Sequence, residues 1–123
     1  DHYGIPDAPR FPYTPEGAKG LAELPLTTVK LGNRNLPCSG GGFFRLLPYA
    51  YFRWAIGKVN RDDREPTIYF HPWEIDPDQP RQTGIGAKTR FRHYVNLSRM
   101  APRLEQMLRD FSWDRMDKVF DVD

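Results

Sequence analysis

The residue best placed for chemistry is His71, which follows the apolar run 67–70 and precedes Pro72 and Trp73. β-Branched and aromatic residues favour a pleated strand, and Pro72 has no N–H for a sheet, so a strand is predicted to end at about His71. The carboxyl end of a parallel strand is where α/β proteins place ligands and catalytic groups. The local pattern fits equally well a histidine that is only hydrogen-bonded at a strand end.

Other residues with reactive or ligand-binding side chains give weaker signals. Cys38 is the only cysteine, which excludes an internal disulfide and a multi-cysteine metal site and favours a small apolar role. The glycines at 40–42 could approach a phosphate, but the GxGxxG fingerprint and the Walker lysine are absent. Asp76 and Asp78 lack the rest of a calcium loop, so a turn is favoured there.

The elements that would position His71 form a βαβ pattern. Glu23–Leu31 alternates as a strand does, and the glycine-rich loop 33–42 follows it. Within Phe43–Arg61 a helix is predicted to begin near Pro48. A charged turn then leads to the second strand, Thr67 to His71. Two such strands are expected to be parallel, with a right-handed crossover.

Two helices are predicted from apolar spacing. The first is apolar on two sides, so it is expected to pack between two layers. The second, Arg99–Phe111, could be capped by Asn96 or Ser98, with Pro102 tolerated in its first turn. Residues 113–120 are expected to close the chain as a short strand or turn. The buried stripe of the second helix is predicted to be Met100, Leu104, Met107, Leu108 and Phe111.

Composition indicates one folded region, residues 1–123. Hydrophobic residues make up 39% and aromatic residues 14% of the chain, which is sufficient for a core. The net charge of +2 is too small to indicate a nucleic-acid or membrane-surface partner, and no apolar run is long enough for a membrane span. Arg90 and Arg92, with aromatic neighbours, are interpreted as helix surface.

Residues 1–22 are predicted to be an extended lead-in, because their prolines and glycines exclude a continuous helix or central strand. Tyr3, Ile5, Phe11 and Tyr13 are its expected anchors on the core. The first residue is not methionine, so we expect the chain to be a piece of a longer protein.

Four long segments of the chain carry a resemblance to a known family: NLPCSGGGFFRLLPYAYFRWAIGKVNR, YFHPWEIDPDQPR, TRFRHYVNLSRM and LEQMLRDFSWDRM. Together they resemble the C-terminal region of bacterial polysaccharide deacetylases encoded with exosortase systems, which function in exopolysaccharide biosynthesis. These enzymes are similar to carbohydrate esterase family four, the nodulation-protein-B-like group. The resemblance implies an α/β fold, the C-terminal part of an irregular (β/α) barrel.

The resemblance also implies an activity, the metal-dependent hydrolysis of N-acetyl groups on an N-acetylhexosamine polymer. Ile68, Phe70 and His71 match the last family motif, in which histidine is the general acid on the departing amine. Trp73 and the loop 33–42 follow strands on the same face of the predicted sheet, so both could line the acetyl or sugar pocket. A purely packing role fits Trp73 equally well.

The family's metal ligands and catalytic base belong to motifs that this chain lacks. His2, His71 and His93 cannot form the family's HxxxH pair. A divalent metal, expected to be zinc, is therefore implied for the parent enzyme and not for this chain alone. The fragment by itself is expected to be inactive and to need the N-terminal remainder of the domain.

A second hypothesis is a non-catalytic glycan-binding or assembly module. Trp73, Tyr94 and Trp113 could stack on sugar rings, although such residues serve equally well in a core. A partial barrel would expose strand edges, so self-association of the fragment is a further expectation. Both the bacterial cytoplasm and the cell envelope fit these readings.

Overall fold

The computed structural model of the chain describes residues 8–121. Within this range it is a mixed α/β structure, with one small sheet and several helices. No helix in the described range is both long enough and apolar enough to cross a membrane. The elements are β1 (Thr28–Leu31), β2 (Arg34–Pro37), α1 (Gly41–Leu46), α2 (Tyr49–Arg61), a 3₁₀ turn (Pro72–Ile75), α3 (Ala87–Tyr94), α4 (Leu97–Asp110) and α5 (Met116–Phe120).

The sheet is a hairpin in which β1 pairs antiparallel with β2. The prediction of a loop at 33–42 is therefore wrong for the four residues of β2. The predicted strand Glu23–Leu31 is present only in its last four residues, which form β1. Gly32 explains the difference. Its φ of +57° stands at the first position of the two-residue turn, where a II′ hairpin requires glycine. Gly32 and Asn33 are a hairpin signal.

The predicted parallel βαβ unit is not present among residues 8–121. The segment 67–70 is extended, but it belongs to no sheet there. Within residues 8–121 the segment makes one hydrogen bond between main-chain groups, in which the Thr27 N–H donates to Thr67 O at 3.4 Å. In addition, the Thr67 N–H donates to the side-chain oxygen Oγ1 of Thr27. Because β1 pairs with β2, the predicted row of hydrogen bonds between segment 67–70 and β1 does not form, and the contact at Thr27 stands in its place. Residues 8–121 therefore do not show part of a (β/α) barrel.

Pro48 divides the predicted Phe43–Arg61 segment into α1 and α2. Leu47 is extended, as a residue before proline should be, and α2 begins directly after Pro48. The helix start near Pro48 is confirmed, and the expected short turn before it is helix α1.

The main core lies between α1, α2 and α4, where five side chains are almost completely buried. α2 also packs against the hairpin through Ala55 and Val59, so it does lie between two layers. Other apolar residues around α2 are at the surface, including Trp54. The five buried residues are Phe44, Phe52, Ile56, Met100 and Met107.

Helix α4 confirms most of the predicted stripe, but Leu108 is exposed. Asn96 precedes α4 at φ +51°, and its side chain donates to Arg45 O at 2.8 Å instead of capping the helix. Pro102 lies in the second turn and not the first, because α4 begins at Leu97.

The C-terminal strand or turn is replaced by helix α5. The chain is extended at Phe111 and again at Arg115, which separates α5 from α4. The Arg115 side chain then donates to both carboxylate oxygens of Asp117, at 3.0 and 2.8 Å, in the first turn of α5. An acidic residue at this place favours a helix start.

The lead-in packs where the structure describes it. Phe11 packs against a smaller cluster of buried residues between the hairpin and α2, namely Val29, Cys38, Ala55 and Val59. The Arg10 side chain donates to Thr28 O at 2.6 Å. Tyr13 exchanges main-chain bonds with Glu23. The other two expected anchors, Tyr3 and Ile5, lie outside the described residues.

Candidate functional site

His71 lies at the surface where the extended segment meets the 3₁₀ turn. Thr67 is buried, and Ile68 and Phe70 pack against the main core. Tyr69 and His71 alternate with them and are exposed. The alternation thus presents the imidazole to solvent from a segment that the core holds in place.

Glu74 fixes the main chain of His71. Its Oε2 accepts the His71 N–H at 2.9 Å, and its own N–H donates to His71 O at 3.0 Å. These two hydrogen bonds close the first turn of the 3₁₀ helix at His71, with the spacing of a capping box. Two reciprocal bonds therefore hold the backbone from which the imidazole projects.

Arg45 is the counterion of Glu74, and both side chains are almost fully buried. The Arg45 Nε–H donates to Glu74 Oε1 at 3.2 Å. Its Nη1 donates to the carbonyls of His93 and Val95, both at 2.9 Å, and its Nη2 to that of Arg92 at 3.3 Å. One guanidinium therefore joins α1, the 3₁₀ turn and the connection between α3 and α4.

The glycines before α1 allow the Glu74 carboxylate to approach the backbone. A Cβ at Gly41 would overlap the carboxylate of Glu74. Gly40 has a φ of +84°, a conformation that glycine adopts without strain. The close approach of Glu74 at Gly41 and the positive φ at Gly40 account for these two glycines, and a bound phosphate is not needed to explain them.

Helix α4 holds the other end of α1. Arg103 Nη1 donates to the carbonyls of Phe44, Arg45 and Leu47 at 2.8, 2.9 and 3.1 Å. The last carbonyls of a helix have no partner within it, so these bonds satisfy groups that would otherwise be buried unpaired. Arg45 is thus held on a fixed helix.

Trp73 lies between two histidines. The His93 ring is parallel to the indole at 4.2 Å between centroids, and the His71 ring is nearly parallel at 6.2 Å. The Arg45 Cζ lies 5.1 Å from the indole centroid, and Tyr69 meets His71 edge-on at 5.4 Å. The result is a row of stacked rings that borders the exposed imidazole.

Gln79 determines which nitrogen of His93 carries a proton. Its Nε2 donates to the carbonyls of Trp73 and Asp76 at 2.7 and 2.8 Å, so its Oε1 faces His93 Nε2 at 2.9 Å. An amide oxygen can only accept, so His93 Nε2 must donate. His93 is therefore held as a structural donor, whereas His71 has no side-chain hydrogen bond among the described residues.

A family model for a domain of unknown function, DUF3473, matches residues 1–121. The chain belongs to the DUF3473 family. No curated protein and no solved structure matches it.

The residues named from sequence come together only in part. Trp73 adjoins His71, and Tyr94 meets His93 edge-on at 4.5 Å. Trp113 lies elsewhere: its indole N–H donates to Met107 O at 3.1 Å, and the ring lines an apolar cavity of about 240 Å³ beside α5. Cys38 is buried, and burial raises the pKa of its thiol to about 11, which suits an apolar role and not a nucleophile.

Sequence reasoning missed the residues that hold the site, Arg45, Glu74, Gln79 and the stacking role of His93. The spacing of His71 and Glu74 was the available signal, because an acid three residues after a turn start is the capping-box spacing. The ion pair joins residues 29 positions apart and leaves no local pattern.

The described residues do not fit a metal ion. Across residues 8–121 no group of three His, Cys, Asp or Glu side chains comes together as metal ligands would. In the DUF3473 domain, His71 and Glu74 are joined through the main chain of His71 instead.

Proposed function

We propose that this chain is the C-terminal part of the catalytic domain of a polysaccharide N-deacetylase, in which His71 is the general acid. The observation that carries the proposal is an exposed imidazole on a fixed backbone, beside an aromatic wall. Segment 67–70 would then be one strand of the parent's (β/α) barrel, completed by strands from elsewhere in the protein.

Amide hydrolysis explains the need for such a group. The amine leaves poorly unless it is protonated, and histidine can donate that proton near neutral pH. The parent's divalent metal, with zinc expected, would supply carbonyl polarisation and activated water from residues that this chain does not contain. His71 would contribute the proton and the hexosamine-facing edge of the site.

Trp73 supports the same proposal in a different way. Its ring lies beside His71, so it could limit how a sugar approaches the imidazole. The indole is covered by His93 at 4.2 Å, and the Arg45 Cζ lies over the ring at 5.1 Å, so contact with substrate would be made by the edge of the indole beside His71. We therefore assign Trp73 to the wall of the acetyl or sugar pocket.

The test is metal-dependent acetate release by the full-length parent protein. His71→Gln is expected to lower turnover by about 10²–10⁴-fold, the usual contribution of a general acid, without changing the metal content. His93→Gln is the matched control, because His93 flanks the same indole but serves Gln79. Equal turnover in His71→Gln and the unmodified enzyme would reject the proposal.

The binding-module alternative predicts saturable glycan binding by the isolated chain with no acetate release from the parent. The separation of Trp113 from the Trp73 row gives this alternative less support. Titration of the chain with N-acetylated hexosamine oligomers distinguishes the two functions.

A further inference from the structure

The small net charge of the chain conceals a segment with charge of one sign. No acidic residue occurs between Asp78 and Glu105. Six basic residues occur there, and their charge exceeds the net charge of the whole chain. They are Arg81, Lys88, Arg90, Arg92, Arg99 and Arg103.

Three of these cations are exposed on α3 and are not used inside the fold. Lys88, Arg90 and Arg92 take part in no ion pair or side-chain hydrogen bond with residues 8–121. Arg103, in contrast, is directed inward to carbonyls of α1. The outer surface of α3 therefore carries three cations that have no carboxylate partner within residues 8–121.

One face of α3 combines charge with an apolar side chain. Lys88, Phe91 and Arg92 are separated by three and four positions, so they share a face. His93 points the other way, into the contact with Trp73. Phe91 is 58% exposed, which is unusual for a phenylalanine without a partner.

Helix α1 extends this face with two more apolar side chains. Phe43 and Leu46 are each 47% exposed. With Phe91 and Arg92 they line an open cleft of about 150 Å³ between α1 and α3. We call the surface formed by Phe43, Leu46, Lys88, Phe91 and Arg92 the α1–α3 patch.

We propose that the α1–α3 patch docks the protein on an anionic lipid membrane. Phe43, Leu46 and Phe91 would enter the boundary between headgroups and acyl chains, and Lys88 and Arg92 would contact lipid phosphates. Charge complementarity and the adjoining apolar group together favour this partner. A nucleic acid would use the cations but would leave the aliphatic and aromatic side chains in water.

The experiment measures binding of the 123-residue chain to vesicles by co-sedimentation. Vesicles of phosphatidylcholine with about one third phosphatidylglycerol are compared with phosphatidylcholine alone, and binding is expected only to the anionic vesicles. The double variant Lys88→Glu/Arg92→Glu is expected to bind at least about 25-fold more weakly, since each cation contributes roughly fivefold. Phe91→Ser is expected to lower affinity about tenfold.

The matched control reverses two exposed lysines outside the patch, Lys19→Glu/Lys30→Glu. It changes the net charge by the same amount and is expected to bind within about twofold of the unmodified chain. All variants are compared by circular dichroism, so that a folding defect is recognised. Acetate release is not measured, so the outcome is independent of the deacetylase proposal.

Three results would overturn the proposal. Equal loss of binding in the two double variants would mean that overall charge acts and not the patch. Binding to a short DNA duplex but not to anionic vesicles would assign the cations to nucleic acid. Vesicle binding by the chain that disappears in the full-length parent would show that another part of that protein covers the patch.

Discussion

Replacing Glu74 by glutamine is expected to destabilise the fold strongly, because it leaves the buried Arg45 without a counterion. The Arg45 side chain is only 2% exposed and the Glu74 side chain only 3%. Removing one partner of a buried ion pair costs about 3–5 kcal/mol. The amide also cannot accept from Arg45 Nε and from the His71 N–H at once, since one of its two positions becomes a donor.

Urea unfolding followed by circular dichroism at 25 °C measures this loss as a change in the free energy of unfolding. Glu105→Gln is the matched control, because Glu105 makes a 3.5 Å ion pair with Arg109 in which both side chains are exposed. It is expected to cost less than about 0.5 kcal/mol. A loss below about 1 kcal/mol for Glu74→Gln would show instead that the buried pair contributes no more to stability than an exposed one.

Two further predictions concern Gly41 and Cys38. Gly41→Ala places a methyl group on the Glu74 carboxylate and is expected to cost about 1–3 kcal/mol, whereas Gly42→Ala meets open space in the same helix and is expected to stabilise by about 0.5–1 kcal/mol; urea titration of both variants checks the difference. Burial raises the pKa of Cys38 to about 11, so between the ordinary thiol pKa and pH 11 the folded state retains a proton that the unfolded state releases. The protonated thiol therefore contributes its full stabilisation below the ordinary thiol pKa, and this contribution is lost as pH rises toward 11. Unfolding titrations across this range are expected to show a shallower decline in Cys38→Ala, and equal slopes would contradict the assignment.

The sequence predicted those parts of the fold that depend on local patterns. The helix start at Pro48 follows from the conformational limits of proline, and the burial of Met100 and Met107 follows from helical spacing. The strand predicted to end at His71 is not present among residues 8–121, and only its predicted end agrees with the structure, since Pro72 begins the 3₁₀ turn. Each of these features depends on residues close together in the chain.

The errors arose where partners had to be chosen at longer range. The apolar segments 28–31 and 67–70 suggested a parallel pair, but the turn at Gly32 gives β1 a nearer partner, which costs less loop entropy. Arg45 and Glu74 meet only after α1 and the 3₁₀ turn have packed. The total charge likewise gave no indication that the cations collect on α3.

We propose that His71 protonates the leaving amine, and a substrate whose leaving group needs no proton provides a sharp test of that role. In the full-length parent, His71→Gln is expected to lose about 10²–10⁴-fold in turnover of an N-acetylated hexosamine oligomer. With an aryl acetate, whose phenolate departs without a proton, the same variant is expected to retain nearly all its turnover. An equal loss on both substrates would contradict a general-acid role for His71.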